Sequence, residues 1–395
     1  MAASAHQSTT CPFDASRDDR KSARLAAERT RPEPGAQLVG SFATAREVLR
    51  NVAMKQGGAG ADLIDTGDPE KVPVFYLDGE VHKRKRSQLA RFFTPKAIAG
   101  RYRAVMESTT DALLAGLQAK GEGPLDQISF RLAVAVAAEI VGLKDSDPIG
   151  MAARIKATLA SMGNHRRRGL ARIVGMLAQR YHALAFFVRD VRPAIKARRK
   201  SRQEDIISHL IDENYPDTAI LIECMTYAAA GMVTTREFIT MAAWHLFDRD
   251  DLRQRFVTGA EDDQFAILNE ILRLEPIAAL LHRRASEATP VAPAGTLLAI
   301  DIRAANNDEA VTGACPFALD PDRAARMKIT ASYLSFGDGN HRCPGQQVAL
   351  SETRIFLDRL LRLPGIRLVR PPTIGWCEDL MGYELRDAIV ACDRR

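Results

Sequence analysis

The chain is short of aromatic side chains: Phe, Trp and Tyr make up 6% of its 395 residues, and only two are Trp. A core must therefore be built from Leu, Ala, Ile, Val and Met. Cysteine is scarce too. The six (Cys11, Cys224, Cys315, Cys343, Cys377 and Cys392) fall at no framework spacing. That argues against a disulfide scaffold and for free thiols in a reducing compartment. There is no C-x-x-C, the spacing a zinc site would want. The opening MAASAHQSTTCPFDASRDDRKSAR lacks the apolar stretch of a secretory signal. No run of eighteen apolar residues occurs, so the expectation is a soluble, cytoplasmic protein without a membrane anchor. The net charge of +6 is modest and comes with no basic tail, which gives no case for nucleic acid.

What is present centres on FGDGNHRCPGQQVAL, residues 336–350. Gly337 and Gly339 can take backbone angles that other residues reach only at a cost. Cys343 lies in a tight loop feeding the helical pattern VALSETRIFLDRLL. Pro344 supplies no N–H and fixes the chain at the helix entrance. Loop N–H groups and the positive helix end stabilise a thiolate, and a thiolate can be an axial ligand to iron. By itself, a lone cysteine before a helix also reads as a small buried residue.

The positions Phe336, Gly337, Gly339, His341, Cys343, Gly345 and Ala349 together resemble the haem-ligand loop of the cytochromes P450. The resemblance implies a mainly α fold with small β-sheets, a triangular prism of about a dozen helices around a buried haem b. Cys343 is the implied thiolate ligand, with His341 toward the haem propionates, Phe336 packed on the loop and Gly345 beside the ligand. The resemblance runs from about residue 36 to the C-terminus. Residues 1–35 are then a flexible arm and 36–395 a single domain.

Other stretches are ambiguous alone and gain meaning from the resemblance. In GEVHKRKRSQLARFFTP, residues 79–95, His82 and Arg86 are i,i+4 on one helix face. By itself this is a solvated basic helix. The resemblance implies that His82 and Arg86 hold the propionates. Lys83, Arg84, Lys85 and Arg91 then face solvent and, with Arg342, offer a docking face for an electron donor. Residues 96–145 read as helices, a helix starts near Pro148, and another follows over 170–199. The last two are the implied lid over the substrate. Between them Arg166, Arg167 and Arg168 read as a solvated turn or a clamp for an acidic substrate group. Residues 291–307 carry strand and turn character, and short strands are expected after 363.

Residues 217–247 predict a helix roughly 45 Å long, with an all-round apolar centre that argues for burial. Paired Thr after a Gly is a local weakness, because Thr can bond the carbonyl four residues back. The resemblance places the oxygen site here: Gly231 leaves room for dioxygen and Thr234 bonds it, with Thr235 beside it and Ala230 in the pocket wall. Val233 departs from the family pattern, which usually has an acid. Glu237 is a doubtful substitute. In FAILNEILRLEP, Glu270 and Arg273 are i,i+3. The resemblance joins them to Arg323 in a structural ion network. It also nominates Arg283 as a propionate partner, Ile277, Ala278, Ala279 and Leu280 as pocket lining, and Tyr383 at the pocket mouth.

The implied activity is a monooxygenase that uses O2 to oxidise a small apolar substrate, a secondary metabolite or xenobiotic. No flavin or iron–sulfur module occupies the chain, so electrons come from a separate ferredoxin and ferredoxin reductase, with the enzyme acting as a monomer. Two other classes remain. One is a haem-thiolate enzyme without O2 insertion (peroxide-driven oxidation, dehydration or isomerisation), to which Val233 lends weight. The other is a haem-binding sensor without catalysis.

Overall fold

The computed structural model describes residues 16–29, 32–57, 72–162, 170–377 and 381–395. Arg166, Arg167 and Arg168, and most of the glycine-rich loop before residue 72, lie outside them. In chain order the strands are β1 (Gln37–Val39), β2 (Met54–Gln56), β3 (Glu122–Pro124), β4 (Leu280–Ala285), β5 (Leu297–Asp301), β6 (Arg367–Arg370), β7 (Thr373–Cys377), β8 (Gly382–Arg386) and β9 (Ile389–Ala391). The chain divides into two compact units. One comprises Met1–Ala59, Thr258–Arg342 and Leu380–Tyr383, the other Gly60–Val257, Cys343–Asp379 and Glu384–Arg395.

The first unit is built on a four-stranded sheet of order β1-β5-β4-β2. β1 runs parallel to β5, and the other pairs are antiparallel. The helix Phe42–Arg50 starts where Ser41 caps it, its side chain accepting from the Thr44 N–H. It lays Phe42, Ala45, Val48 and Leu49 on the core made by Leu298 and Ile300 of β5. The strand expected across 291–307 stops early. Asp301 accepts the Ala304 N–H at 2.9 Å and caps the short helix Ile302–Asn306.

Two expectations are corrected in this unit. Residues 16–29 are not loosely held: Ala23–Arg29 is helical. The buried Ser22 donates its N–H to the Glu275 carboxylate at 3.0 Å, and Asp19 accepts the Leu319 N–H at 2.8 Å. A buried carboxylate needs such donors, and the arm supplies them. Nor are all six thiols free. Cys315, in the loop where the arm is fastened, is disulfide-bonded, whereas Cys224, Cys343, Cys377 and Cys392 are free.

The second unit is helical. The helix Arg103–Lys120 packs against Leu125–Val141 and against Gln346–Leu361. Gly121, at φ +82°, ends the first of these, and β3 follows where continuous helix was expected. β3, β9 and β6 form a three-stranded antiparallel sheet. The central helix comprises Asp217–Tyr227, a π-helical run Ala228–Val233 and Thr234–Asp248. By length and composition it is apolar enough to cross a membrane. Its second half is instead buried from Thr235 to Ala243 against Leu125–Val141 and Gln346–Leu361, as a core helix is.

Candidate haem-thiolate site

In the first unit the loop to the cysteine is held by its glycines and one aspartate. Gly337 and Gly339 have φ of +70° and +66°, the left-handed region where L side chains are strained. At Gly339 a Cβ would also stand 2.3 Å from the Leu49 carbonyl oxygen. Asp338 accepts from Arg46 Nε at 3.2 Å and Arg50 Nε at 2.8 Å. Burial alone would raise the Asp338 carboxyl; Arg50, the Gly339 N–H and Arg46 hold it below its ordinary value. Phe336 and His341 are half-buried, His341 closing the 3-10 turn Gly339–His341.

Behind this loop, in the same unit, Glu270, Arg273 and Arg323 form one buried cluster. Arg273 clasps the Glu270 carboxylate through Nε and Nη2, both at 2.8 Å. Arg323 Nε reaches it at 3.0 Å. The arginines also serve backbone carbonyls of the approach to the loop: Arg273 donates to Pro316 at 2.7 Å, and Arg323 to Thr312 and Ala318 at 2.8 Å each. Arg283 is buried on β4, its guanidinium bonding Gln56 and the His282 carbonyl. Ile277, Ala279 and Leu280 are enclosed and Ala278 is half-buried. Tyr383 is not at a pocket mouth: it is fully buried, and its hydroxyl donates to the Glu275 carbonyl at 3.0 Å.

In the second unit Cys343 is an exposed free thiol. Pro344 and the N-cap Gly345 follow it, and the helix Gln346–Leu361 begins directly after. Gly345 has an ordinary φ of −81°; a Cβ there would approach the Cys343 Sγ at 3.9 Å. The thiol thus sits off the positive end of a sixteen-residue helix. The helix Gly79–Ala90 of the same unit carries Arg86. Burial lowers the Arg86 guanidinium from its ordinary value, and charge on Cys343 and Tyr227 works the other way. His82, one turn earlier, is buried. Lys85 corrects the picture of a solvated cation. It is 4% exposed, and its Nζ donates to the Val72 carbonyl at 2.8 Å. Lys83 is exposed and pairs with Glu80 at 2.7 Å.

On the central helix the residues expected at the oxygen site occupy the π-helical run and its exit. Ala230 and Gly231 are exposed, and a Cβ on Gly231 would meet nothing within 4 Å. The Thr234 hydroxyl donates to the Ala230 carbonyl at 2.6 Å, which leaves its oxygen lone pairs able to accept. Thr235 is buried. Val233 is half-buried and carries no proton. Glu237 is fully buried and committed elsewhere, accepting from Arg236, from the Leu385 N–H at 2.7 Å and from Arg386 at 2.9 Å. Sequence reasoning missed Tyr227 and Glu223 of the central helix, which interact electrostatically with Arg86 and Lys85. Their i,i+4 spacing was the available signal.

A thiol at a helix start, a guanidinium that interacts electrostatically with it, and a bare small-residue stretch on the central helix make a donor set that fits a haem held by a thiolate. The cytochrome P450 family model matches residues 265–363. Nocardicin C N-oxygenase of Nocardia uniformis subsp. tsuyamanensis is 25% identical over 331 residues, covering 80% of this chain and 78% of that protein. Pentalenic acid synthase of Streptomyces avermitilis is 27% identical over 388 residues, covering 92% and 91%. The crystal structure of CalO2 has the same fold, with a TM-score of 0.76 at 22% identity over 92% of both chains. The chain is thus similar to cytochromes P450 in fold over most of its length and in sequence most clearly over residues 265–363.

Proposed function

We propose that Cys343 is the thiolate ligand of a haem b, and that the chain uses it to oxidise a small apolar secondary metabolite or xenobiotic. One observation carries the reading: the exposed Cys343 thiol stands just before the sixteen-residue helix Gln346–Leu361, whose positive end favours a thiolate. When bound, the haem supplies the activation of dioxygen, which a thiolate ligand favours. The chain's own residues bind and orient. Arg86 and His82 offset the charge of the haem carboxylates, which burial would otherwise penalise. Gly231 would leave room for the group beside the central helix, and Thr234 and Thr235 would offer it hydroxyls. The roles of His341, Phe336 and Arg283 belong to the same proposal on sequence grounds alone. The named relatives support a secondary-metabolite substrate. Electrons arrive from a separate ferredoxin and its reductase, in the cytoplasm, with Lys83, Arg84 and Arg91 as docking cations.

A second reading has an observation in its favour. Val233 cannot carry a proton and Glu237 is committed to Arg236, Arg386 and Leu385. Both suit a haem-thiolate enzyme driven by peroxide, or one catalysing dehydration or isomerisation. The reduced carbon monoxide spectrum of the purified protein tests the haem site. Wild type is expected to show the red-shifted thiolate band and Cys343→Ala to lose it; a wild type without that band refutes the proposal. Turnover with NAD(P)H, ferredoxin and reductase supports O2 insertion, and turnover with peroxide alone supports the second reading.

A further inference from the structure

In the second unit the helix Leu170–Phe186 turns an apolar face outward. Ile173, Leu177, Tyr181, Leu184 and Val188 recur every three or four residues, so they form one stripe along this helix and the π-helical run Phe187–Val191 that continues it. They are exposed by 51%, 60%, 68%, 60% and 46%, and Val174 beside them by 57%. Gly175 and Phe186, on the opposite face, are buried, and the helix packs on Pro148–Met162 of the same unit. Apolar side chains scattered singly over a surface are ordinary; a continuous stripe about 22 Å long is not.

The charge of the same stretch is one-sided. From Asn164 to Lys200 the sequence has eleven Arg and Lys and one acid, Asp190. Asp190 is fully buried, and Arg154 donates to its carboxylate through Nε at 2.6 Å and Nη2 at 2.7 Å. It therefore shows no negative charge to solvent. Arg180 stands at the edge of the stripe, and Arg189, Arg192 and Lys196 follow at its far end; all four are exposed. An apolar stripe flanked by cations, with no exposed acid beside it, has the make-up of a helix that lies in the plane of a membrane. Its apolar side chains enter the boundary between headgroups and acyl chains, and its cations meet anionic headgroups. A second copy of the chain fits this face less well, because pairing two such faces sets cation against cation.

We propose that this face docks on an anionic membrane surface, with the stripe from Ile173 to Val188 in the interface and Arg180, Arg189, Arg192 and Lys196 on the lipid phosphates. The docking is peripheral and reversible, since only one side of the helix is apolar and outward. It weakens as salt screens the cations. Docking itself needs no haem. Its consequence, that the chain meets apolar substrate where such substrate collects in lipid, rests on the function proposed above.

Flotation of the full-length protein with lipid vesicles tests the inference. Vesicles of phosphatidylglycerol and phosphatidylcholine in equal parts carry the protein upward, and less of it as salt is raised. Vesicles of phosphatidylcholine alone bind it about 30-fold more weakly or worse. Leu177→Ser with Leu184→Ser weakens binding to the mixed vesicles about tenfold, and Arg180→Gln with Arg189→Gln about 30-fold. All four positions are exposed, so these variants keep the wild-type far-UV circular dichroism. Tyr181→Trp reports the face itself: its emission, taken against wild type to remove Trp244 and Trp376, moves to the blue when mixed vesicles are added. Absence of flotation, equal binding to both kinds of vesicle, or an unmoved Tyr181→Trp emission overturns the inference. So does a dimer in sedimentation velocity, or a ferredoxin complex, that forms without vesicle binding and is lost in Leu177→Ser with Leu184→Ser; the first assigns the face to a second copy and the second to the electron donor. A wild type that floats but lacks the thiolate band in its carbon monoxide spectrum leaves this inference standing while the haem reading falls.

Discussion

Replacing Glu270 by Gln removes the charge on which the buried cluster of the first unit converges. The carboxylate accepts four hydrogen bonds: two from Arg273 at 2.8 Å, one from Arg323 at 3.0 Å and one from the Asp320 N–H at 3.1 Å. Glu270, Arg273 and Arg323 are exposed by 3%, 0% and 1%. In Glu270→Gln one acceptor oxygen becomes an NH2 group facing a guanidinium, and two buried cations lose their counter-charge. Breaking a buried pair from one side costs about 3–5 kcal/mol. Hydrogen bonds from both arginines to backbone carbonyls survive, which puts the expectation at the lower end. The control is Glu80→Gln, which breaks the exposed pair to Lys83, with side chains 86% and 54% exposed. Solvent screens such an exposed pair, which contributes little to stability. Urea unfolding of wild type and both variants, followed side by side by far-UV circular dichroism, reads the difference. A Glu270→Gln midpoint as close to wild type as that of Glu80→Gln would refute the claim that this cluster holds the segment before the ligand loop.

Two further predictions concern the second unit. Gly231→Leu puts a side chain where a Cβ meets nothing within 4 Å. It should unfold within about 0.5 kcal/mol of wild type yet lose haem uptake, read as the ratio of haem to protein absorbance; normal haem loading would remove Gly231 from the site. Glu352, fully buried on the helix Gln346–Leu361, has its carboxyl pushed by burial up to about 8. Its folded form therefore keeps a proton that the unfolded chain releases from about pH 4.5 upward. Stability should fall as pH rises across this range, by up to about 1.4 kcal/mol per pH unit. Glu352→Gln should flatten that part of the profile; an unchanged slope in the variant would contradict the assignment.

Much of the local geometry around the candidate site was legible before any fold was known, for a local reason. The stretch around Cys343 needs glycines for its backbone angles, a proline at the helix entrance and a helix behind the thiol, and all of these are written within fifteen residues. The same holds for His82 and Arg86, for Glu270 and Arg273, and for the bond from Thr234 to Ala230: each joins residues three or four apart on one helix. The structure decided what depends on partners far along the chain. Lys85 reads as one more surface cation in a basic run, and it is buried because Val72 and Tyr215 receive it. Glu237 reads as a spare acid near the oxygen site, until the Leu385 N–H, 148 residues on, takes it. Ser22 belongs to a polar arm in the sequence and to the buried surroundings of Glu275 in the fold, 253 residues away. Hydrogen-bond periodicity is local and shows in the residue pattern. The desolvation of a charge is set by whatever long-range packing closes over it, and no spacing along the chain records that.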